Sequence, residues 1–216
     1  MIDVVVFDLD GVVVDSEQVW DDVREQLAKE RGGLWHDGAQ AAMMGMSSPE
    51  WSSYMHDEIG LPEPPEEINA EVVRRMLGRY RERLPLIDGA VDAVRRLAPE
   101  FRLGVASSSN RPLIAAVLER AGIAELFGAV VSSEEVPAGK PAPDVYLEAM
   151  RRLGAEPDRT AAVEDSSNGI RAAHAAGMRV IALPNAHYPP SADVLALADV
   201  VLASAGELSA EVVRGR

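Results

Sequence analysis

The chain has no cysteine, which excludes disulfides, thiolate metal sites and cysteine nucleophiles. That absence favours a reducing compartment. The opening MIDVVVFD has neither a basic n-region nor a small-residue cleavage site, so a cytoplasmic location is expected. No apolar run approaches the roughly 18 residues of a membrane span. Lysine is scarce: Lys29 and Lys140 are the only two among 21 basic residues, set against 35 acids. The formal charge of −14 repels nucleic acid and anionic lipid, both of which are held through Lys and Arg on phosphates. No nucleic-acid or membrane partner is therefore expected, and the chain is read as a monomer whose acids mostly form a solvated surface.

What is present is enough for a full core. With 216 residues and 47% hydrophobic content, the chain suits one large domain or one domain carrying a smaller insert. Short apolar or β-branched runs predict strands at Asp3 to Phe7, Phe101 to Ala106, Ala129 to Val131, Thr160 to Val163, Met178 to Leu183 and Asp199 to Ala203. Helical stretches alternate with them at Ala90 to Leu97, Pro112 to Ala121, Pro143 to Leu153 and Ser166 to Ala176, with Gly154 and Gly177 at helix stops. The pattern predicts an α/β fold with a doubly wound parallel sheet.

Residues 16–84 break the alternation, with helix-like segments at Glu17 to Arg31, Pro49 to Ile59 and Pro65 to Leu84 and no convincing strand. They are read as an inserted all-helical cap, leaving 1–15 and 85–216 as the core, with linkers near Val14 to Ser16 and Leu84 to Gly89.

Polar residues gather where such a sheet binds ligands, at the carboxyl ends of its strands. Asp8 and Asp10 follow the first strand, spaced to share a side if the backbone stays extended, and Gly11 lets the chain turn. Ser107, Ser108, Ser109 and Asn110 follow the second, where hydroxyls and helix-start N–H groups welcome an anion. Lys140 follows the third; Glu164 and Asp165 follow the fourth. Four carboxylates against one ammonium leave negative charge that a hard, oxygen-seeking cation such as Mg2+ could neutralise. An isolated DLDG is often only a turn, and Ser107 or Ser166 alone only an N-cap. A calcium loop fails, because counting from Asp8 places Val19 where a Glu ligand belongs. Lys140, in a chain that otherwise uses Arg, suits a point charge on phosphate.

Together and in order, FDLDGVVVDSE, VASSSN, GKPAPDVY and VEDSSNG resemble the four motifs of the haloacid dehalogenase-like superfamily, nearest its β-phosphoglucomutase-like phosphatase branch with a helical cap. The resemblance implies that Asp8 is the nucleophile forming an aspartyl phosphate and that Asp10 is the general acid and then base. It implies Asp8, Asp165 and the Asp10 carbonyl as Mg2+ ligands, with Glu164 direct or through water, and Ser107 and Lys140 stabilising the phosphoryl oxygens, with Ser108, Ser109 and Asn110 on the substrate side. Haloacid dehalogenation needs no metal and does not suit the second Asp and acidic pair. Phosphonate cleavage would need a cap lysine, and Lys29 reads as solvated.

A small phosphorylated metabolite is the expected substrate, with a phosphatase favoured over a hexose-phosphate mutase. Ser48, Trp20 and Met76 stand where the mutases of this branch carry Arg, His and Lys. Arg74, Arg75 and Arg79 could supply charge from the last cap helix but are read as an ordinary basic face. Trp20 and Met46 either line an apolar pocket or pack the cap core, the latter being preferred. His36, His56, His174 and His187 join no motif. A non-catalytic binding domain on the same fold is the reading from another class.

Overall fold

The computed structural model describes residues 1–44, 46–185 and 189–215. Its strands are β1 (Val4–Phe7), β2 (Arg102–Ser107), β3 (Phe127–Ser132), β4 (Thr160–Glu164), β5 (Arg179–Ala182) and β6 (Val200–Val201). They form one parallel sheet in the order β3-β2-β1-β4-β5-β6, so the strand order reverses beside β1, where β1 pairs with both β2 and β4.

β1 is buried throughout, and its alternating side chains feed two cores. Val5 and Phe7 join one with α5 (Ala90–Leu97) and α6 (Arg111–Ala121); Val4 and Val6 join the other with α7 (Asp144–Leu153) and α8 (Ser167–Ala175). This is the doubly wound arrangement the alternation predicts. The strand at Asp199 to Ala203 shortens to two residues at the sheet edge.

Between β1 and α5 lie α1 (Glu17–Arg31), α2 (Ala39–Met43), α3 (Ser48–Asp57) and α4 (Pro65–Glu82), with no strand among the described residues of that interval. α3 begins at a capping box in which the Ser47 N–H donates to the Glu50 carboxylate at 2.7 Å, with Pro49 in its first turn. The first apolar cluster continues unbroken into this insert through Trp20, Leu27, Trp51, Val72 and Met76. The two connecting segments lie side by side: Asp15 N–H donates to Pro85 O at 2.8 Å and Ile87 N–H to Val13 O at 3.0 Å.

Three helices are absent from the sequence reading: α2, α9 (Ala192–Leu195) and α10 (Ala210–Arg214). Each has five residues or fewer, too short to show a 3.6-residue period. Among the described residues, no helix is long and apolar enough to cross a membrane.

Candidate active site

The carboxyl ends of β1, β2 and β4 and the loop after β3 converge on one cleft. Asp8 stays in register because its N–H donates to Val163 O at 2.9 Å, and the residue is 6% exposed. The extended backbone ends at Phe7, so the i, i+2 argument is not what brings Asp10 to the same side. A turn does: Gly11 takes φ of +76°, and a Cβ there would sit 1.8 Å from Asp165 Oδ2. Asp8, Asp10, Ser108, Ser109, Lys140, Asp165 and Ser166 line the cleft on the sheet side.

Lys140 ties the acids together. Its ammonium donates to Asp8 Oδ1 at 2.8 Å and to Glu164 Oε1 at 2.5 Å, and all three side chains are buried. Tyr146, inside the GKPAPDVY segment but given no role by sequence reasoning, donates its hydroxyl to Glu164 Oε1 at 2.8 Å. Glu164 Oε2 accepts from the N–H groups of Asp165 and Ser166 and from the Ser166 hydroxyl, at 3.0 to 3.2 Å. The oxygens of Glu164 are thus heavily engaged by protein donors. Its carboxylate also occupies the space a side chain at Gly169 would need, a Cβ falling 1.7 Å from Oε1. Ser166 caps α8 as expected, accepting from Gly169 N–H at 3.1 Å.

Asp8, Glu164 and Asp165 each offer an oxygen within 4.8 Å of the others. Burial pushes the Asp8 carboxyl up to about 8, with Glu164 and Asp10 adding to the rise and Lys140 opposing it. Burial, then Glu164 and Asp8, also raise Asp165 well above the carboxylate range. Lys140 moves up as well: burial works against its charge, and Asp8 and Glu164 outweigh it. With all of its carboxyls ionised the cluster would hold more negative charge than one ammonium balances, so without a further cation it retains protons. Asp165 Oδ1 is buried without a hydrogen-bond partner, an oxygen that fits a cation ligand.

Asp10 sits at the seam between sheet and insert. From the sheet side, Ser107 Oγ and Ser109 Oγ donate to its Oδ2 at 3.3 and 2.7 Å. From the insert side, Ser16 Oγ donates to Oδ1 at 2.5 Å and Trp20 Nε1 at 3.4 Å. Ser107 is fully buried and also accepts from Ser109 N–H at 3.0 Å. Asn110 turns away, donating to Asn69 Oδ1 at 3.0 Å in α4 and to Glu134 Oε1 at 2.7 Å.

The opposite wall comes from the insert: Glu17, Trp20, Arg24, Met43, Met44, Met46 and Trp51. Trp20 both packs against Trp51, with centroids 5.8 Å apart, and lines the cleft, so the two alternatives for it coexist. Arg24 is a buried cation that sequence reasoning missed, although Glu17, Trp20 and Arg24 fall three and four residues apart on one helix face. Arg74 and Arg75 are spent on Glu71 and Glu30, and Arg79 is exposed. Lys29 is solvated beside Glu25. Ser48 and Met76 are buried and do not line the cleft. His56 caps a turn by donating to Leu61 O and Glu63 O, His36 meets Tyr54, and His187 lies outside the described residues.

The chain that holds this acidic cluster, at the carboxyl edge of a parallel sheet, is similar along its length to known proteins. The chain belongs to the haloacid dehalogenase-like hydrolases, whose family model matches residues 2–177. It is 33% identical over 220 residues to hexitol phosphatase B of Escherichia coli, covering 97% of this chain and 96% of that one. It is 30% identical over 202 residues to the bifunctional riboflavin kinase/FMN phosphatase of Arabidopsis thaliana, of whose length it spans only 52%. The solved β-phosphoglucomutase of Clostridium difficile shares the fold, with a TM-score of 0.86 at 22% identity over 100% of this chain and 96% of that one. Family and relatives together make the chain an enzyme, a phosphoric monoester hydrolase.

Proposed function

We propose that the enzyme hydrolyses a small phosphorylated sugar or polyol through an aspartyl phosphate on Asp8, with Mg2+ as cofactor and residues 16–84 as a cap. The observation that carries this is the position of Asp8, held at the cleft by Lys140 with Asp10 lining the same cleft. Asp8 and Asp165 would hold the cation with the Asp10 carbonyl. Glu164, already engaged by Lys140 and Tyr146, fits a water-mediated role. When bound, the cation supplies charge neutralisation for the transferring phosphoryl group.

One Asp8 carboxylate oxygen forms a bond to phosphorus as the ester P–O bond breaks, and Asp10 delivers its proton to the leaving oxygen. Asp10 then takes a proton from water, whose oxygen attacks phosphorus and frees Asp8 and inorganic phosphate. Lys140 and the Ser107 to Ser109 segment stabilise the non-bridging oxygens. Asn110, pointing toward Asn69, supports that segment rather than substrate. The free space in the cleft is about 60 Å³, against the roughly 300 Å³ at the lower end of ligand sites, which supports movement of the insert when an ester enters.

The hexitol specificity named for the Escherichia coli relative supports the substrate class. A mutase reading rests on Arg24, the one cation on the insert wall among the described residues. Glu17 on the same wall weighs against a second phosphate there. Phosphate release from a panel of sugar and polyol phosphates, with Mg2+ and with EDTA, tests the proposal. Phosphorus NMR on β-glucose 1-phosphate with a trace of the 1,6-bisphosphate separates the alternatives, since glucose 6-phosphate forming much faster than free phosphate would establish the mutase.

A further inference from the structure

Arg24 has a setting unlike the ion-paired arginines of the insert. It is 4% exposed and lines the cleft, with its guanidinium carbon 4.4 Å from the Trp20 ring centre and 4.7 Å from that of Trp51. The rings fix the guanidinium without consuming a donor. Its one hydrogen bond among the described residues runs from Nη1 to the neutral Gln40 Oε1 at 3.1 Å, and Nε has no partner. A buried cation without an anion in contact is costly, and burial lowers Arg24 to about 10 despite the nearby charges of Glu17 and Asp10.

Gln40 carries the connection onward, its Nε2 donating to Glu17 Oε2 at 3.0 Å. Burial, then Asp10, raises the Glu17 carboxyl to about 7. The wall thus places a rigid fork of donors and a carboxyl acceptor in one relay, flanked by Met43, Met44 and Met46.

We propose that Arg24, relayed through Gln40 to Glu17, reads the distal hydroxyls of a polyol or sugar monophosphate and so selects the leaving group. The inference rests on the phosphomonoesterase reading above. A hydroxyl both accepts and donates, so neighbouring hydroxyls satisfy Arg24 and Glu17 together. A second phosphate or a carboxylate would satisfy Arg24 but face Glu17. An aryl or simple alkyl ester would leave both unmatched, and sites built to bond a hydroxyl reject analogues that lack it.

The test compares kcat/KM for sorbitol 6-phosphate, nitrophenyl phosphate and a hexose 1,6-bisphosphate in the full chain with Mg2+, for wild type, Arg24→Met and Gln40→Leu. The expected result is a wild-type preference for the polyol ester over both others. In Arg24→Met the polyol-to-aryl ratio should collapse on the order of 30-fold, mostly through KM. Gln40→Leu, which leaves Arg24 against its two rings, should lower the same ratio by about 5-fold, and covers the case in which Arg24→Met does not fold. An unchanged ratio in folded variants overturns the inference while leaving the phosphatase reading intact. A wild-type preference for the bisphosphate that disappears in Arg24→Met also overturns it, assigning Arg24 to a second anion. Failure of wild type to release phosphate from any ester would instead sink the phosphomonoesterase reading, and this inference with it.

Discussion

The two walls of the cleft are built on opposite principles. On the sheet wall, Asp8, Lys140, Glu164 and Tyr146 are buried and bonded to one another. On the insert wall, a guanidinium lies against two indole rings with a neutral amide as its hydrogen-bond partner. In the proposed reaction the first wall would meet the phosphoryl group, which every substrate shares, and the second the leaving group, which differs. Charge is fixed where the chemistry is constant and left unmatched where a ligand must complete it.

Damage to the sheet wall should stop turnover whatever the substrate. Asp8→Asn is expected to lower kcat on the order of a thousandfold or more for every ester, since an amide is neither nucleophile nor anionic ligand. EDTA should do the same, and full activity of either would break the assignment.

Asp10, between the walls, should divide substrates. Asp10→Asn is expected to cost about a hundredfold or more on an alkyl phosphate but markedly less on nitrophenyl phosphate, whose leaving group needs little protonation. Equal losses on the two would place Asp10 outside proton transfer.

Tyr146 tests how tightly the sheet wall is tensioned. Tyr146→Phe removes a hydrogen bond to a buried carboxylate, worth about 1.5 to 3 kcal/mol, and should lower the melting temperature and weaken Mg2+ binding measured by calorimetry. Unchanged metal affinity would confine Tyr146 to packing.

The smallest effect belongs to Glu17, whose carboxyl is raised from 4.5 to about 7 by burial and by Asp10. A raised acid stabilises the fold below its unfolded pKa, and that contribution is lost as pH climbs through the folded value. Glu17→Gln should therefore gain in melting temperature relative to wild type as pH rises from about 5 to about 8. A constant difference across that range would show that Glu17 titrates normally.

The contrast between the walls also explains what could be read from residues alone. Strand-end motifs name Asp8, Asp10, Ser107, Glu164 and Asp165, because each ends or follows a buried strand, and the loop between β3 and α7 adds Lys140. Those requirements leave local marks: apolar runs, Gly11, an N-capping Ser166. The insert wall leaves fewer such marks, the three-and-four spacing of Glu17, Trp20 and Arg24 on α1 being one. Gln40 reaches Glu17 from a five-residue helix 23 positions away, and only packing brings them together. Tyr146 looks apolar from its helical period, and its hydroxyl finds Glu164 only once α7 lies on the sheet. Asn110 shows the converse, reading as an anion-loop residue by position while facing the insert in space.

The four donors on Asp10 have a logical consequence. Two belong to the sheet and two, Ser16 and Trp20, to the start of the insert, so the carboxyl is fully aimed only when both bodies are in place. Under the proposed mechanism the arrangement would work as an AND gate: an open cleft would hold a nucleophile but a slack acid, and only enclosure of a fitting leaving group would close the circuit. Fidelity would then come from the order of assembly as well as from the tightness of binding, because an ester that does not seat the insert would not receive its proton on time.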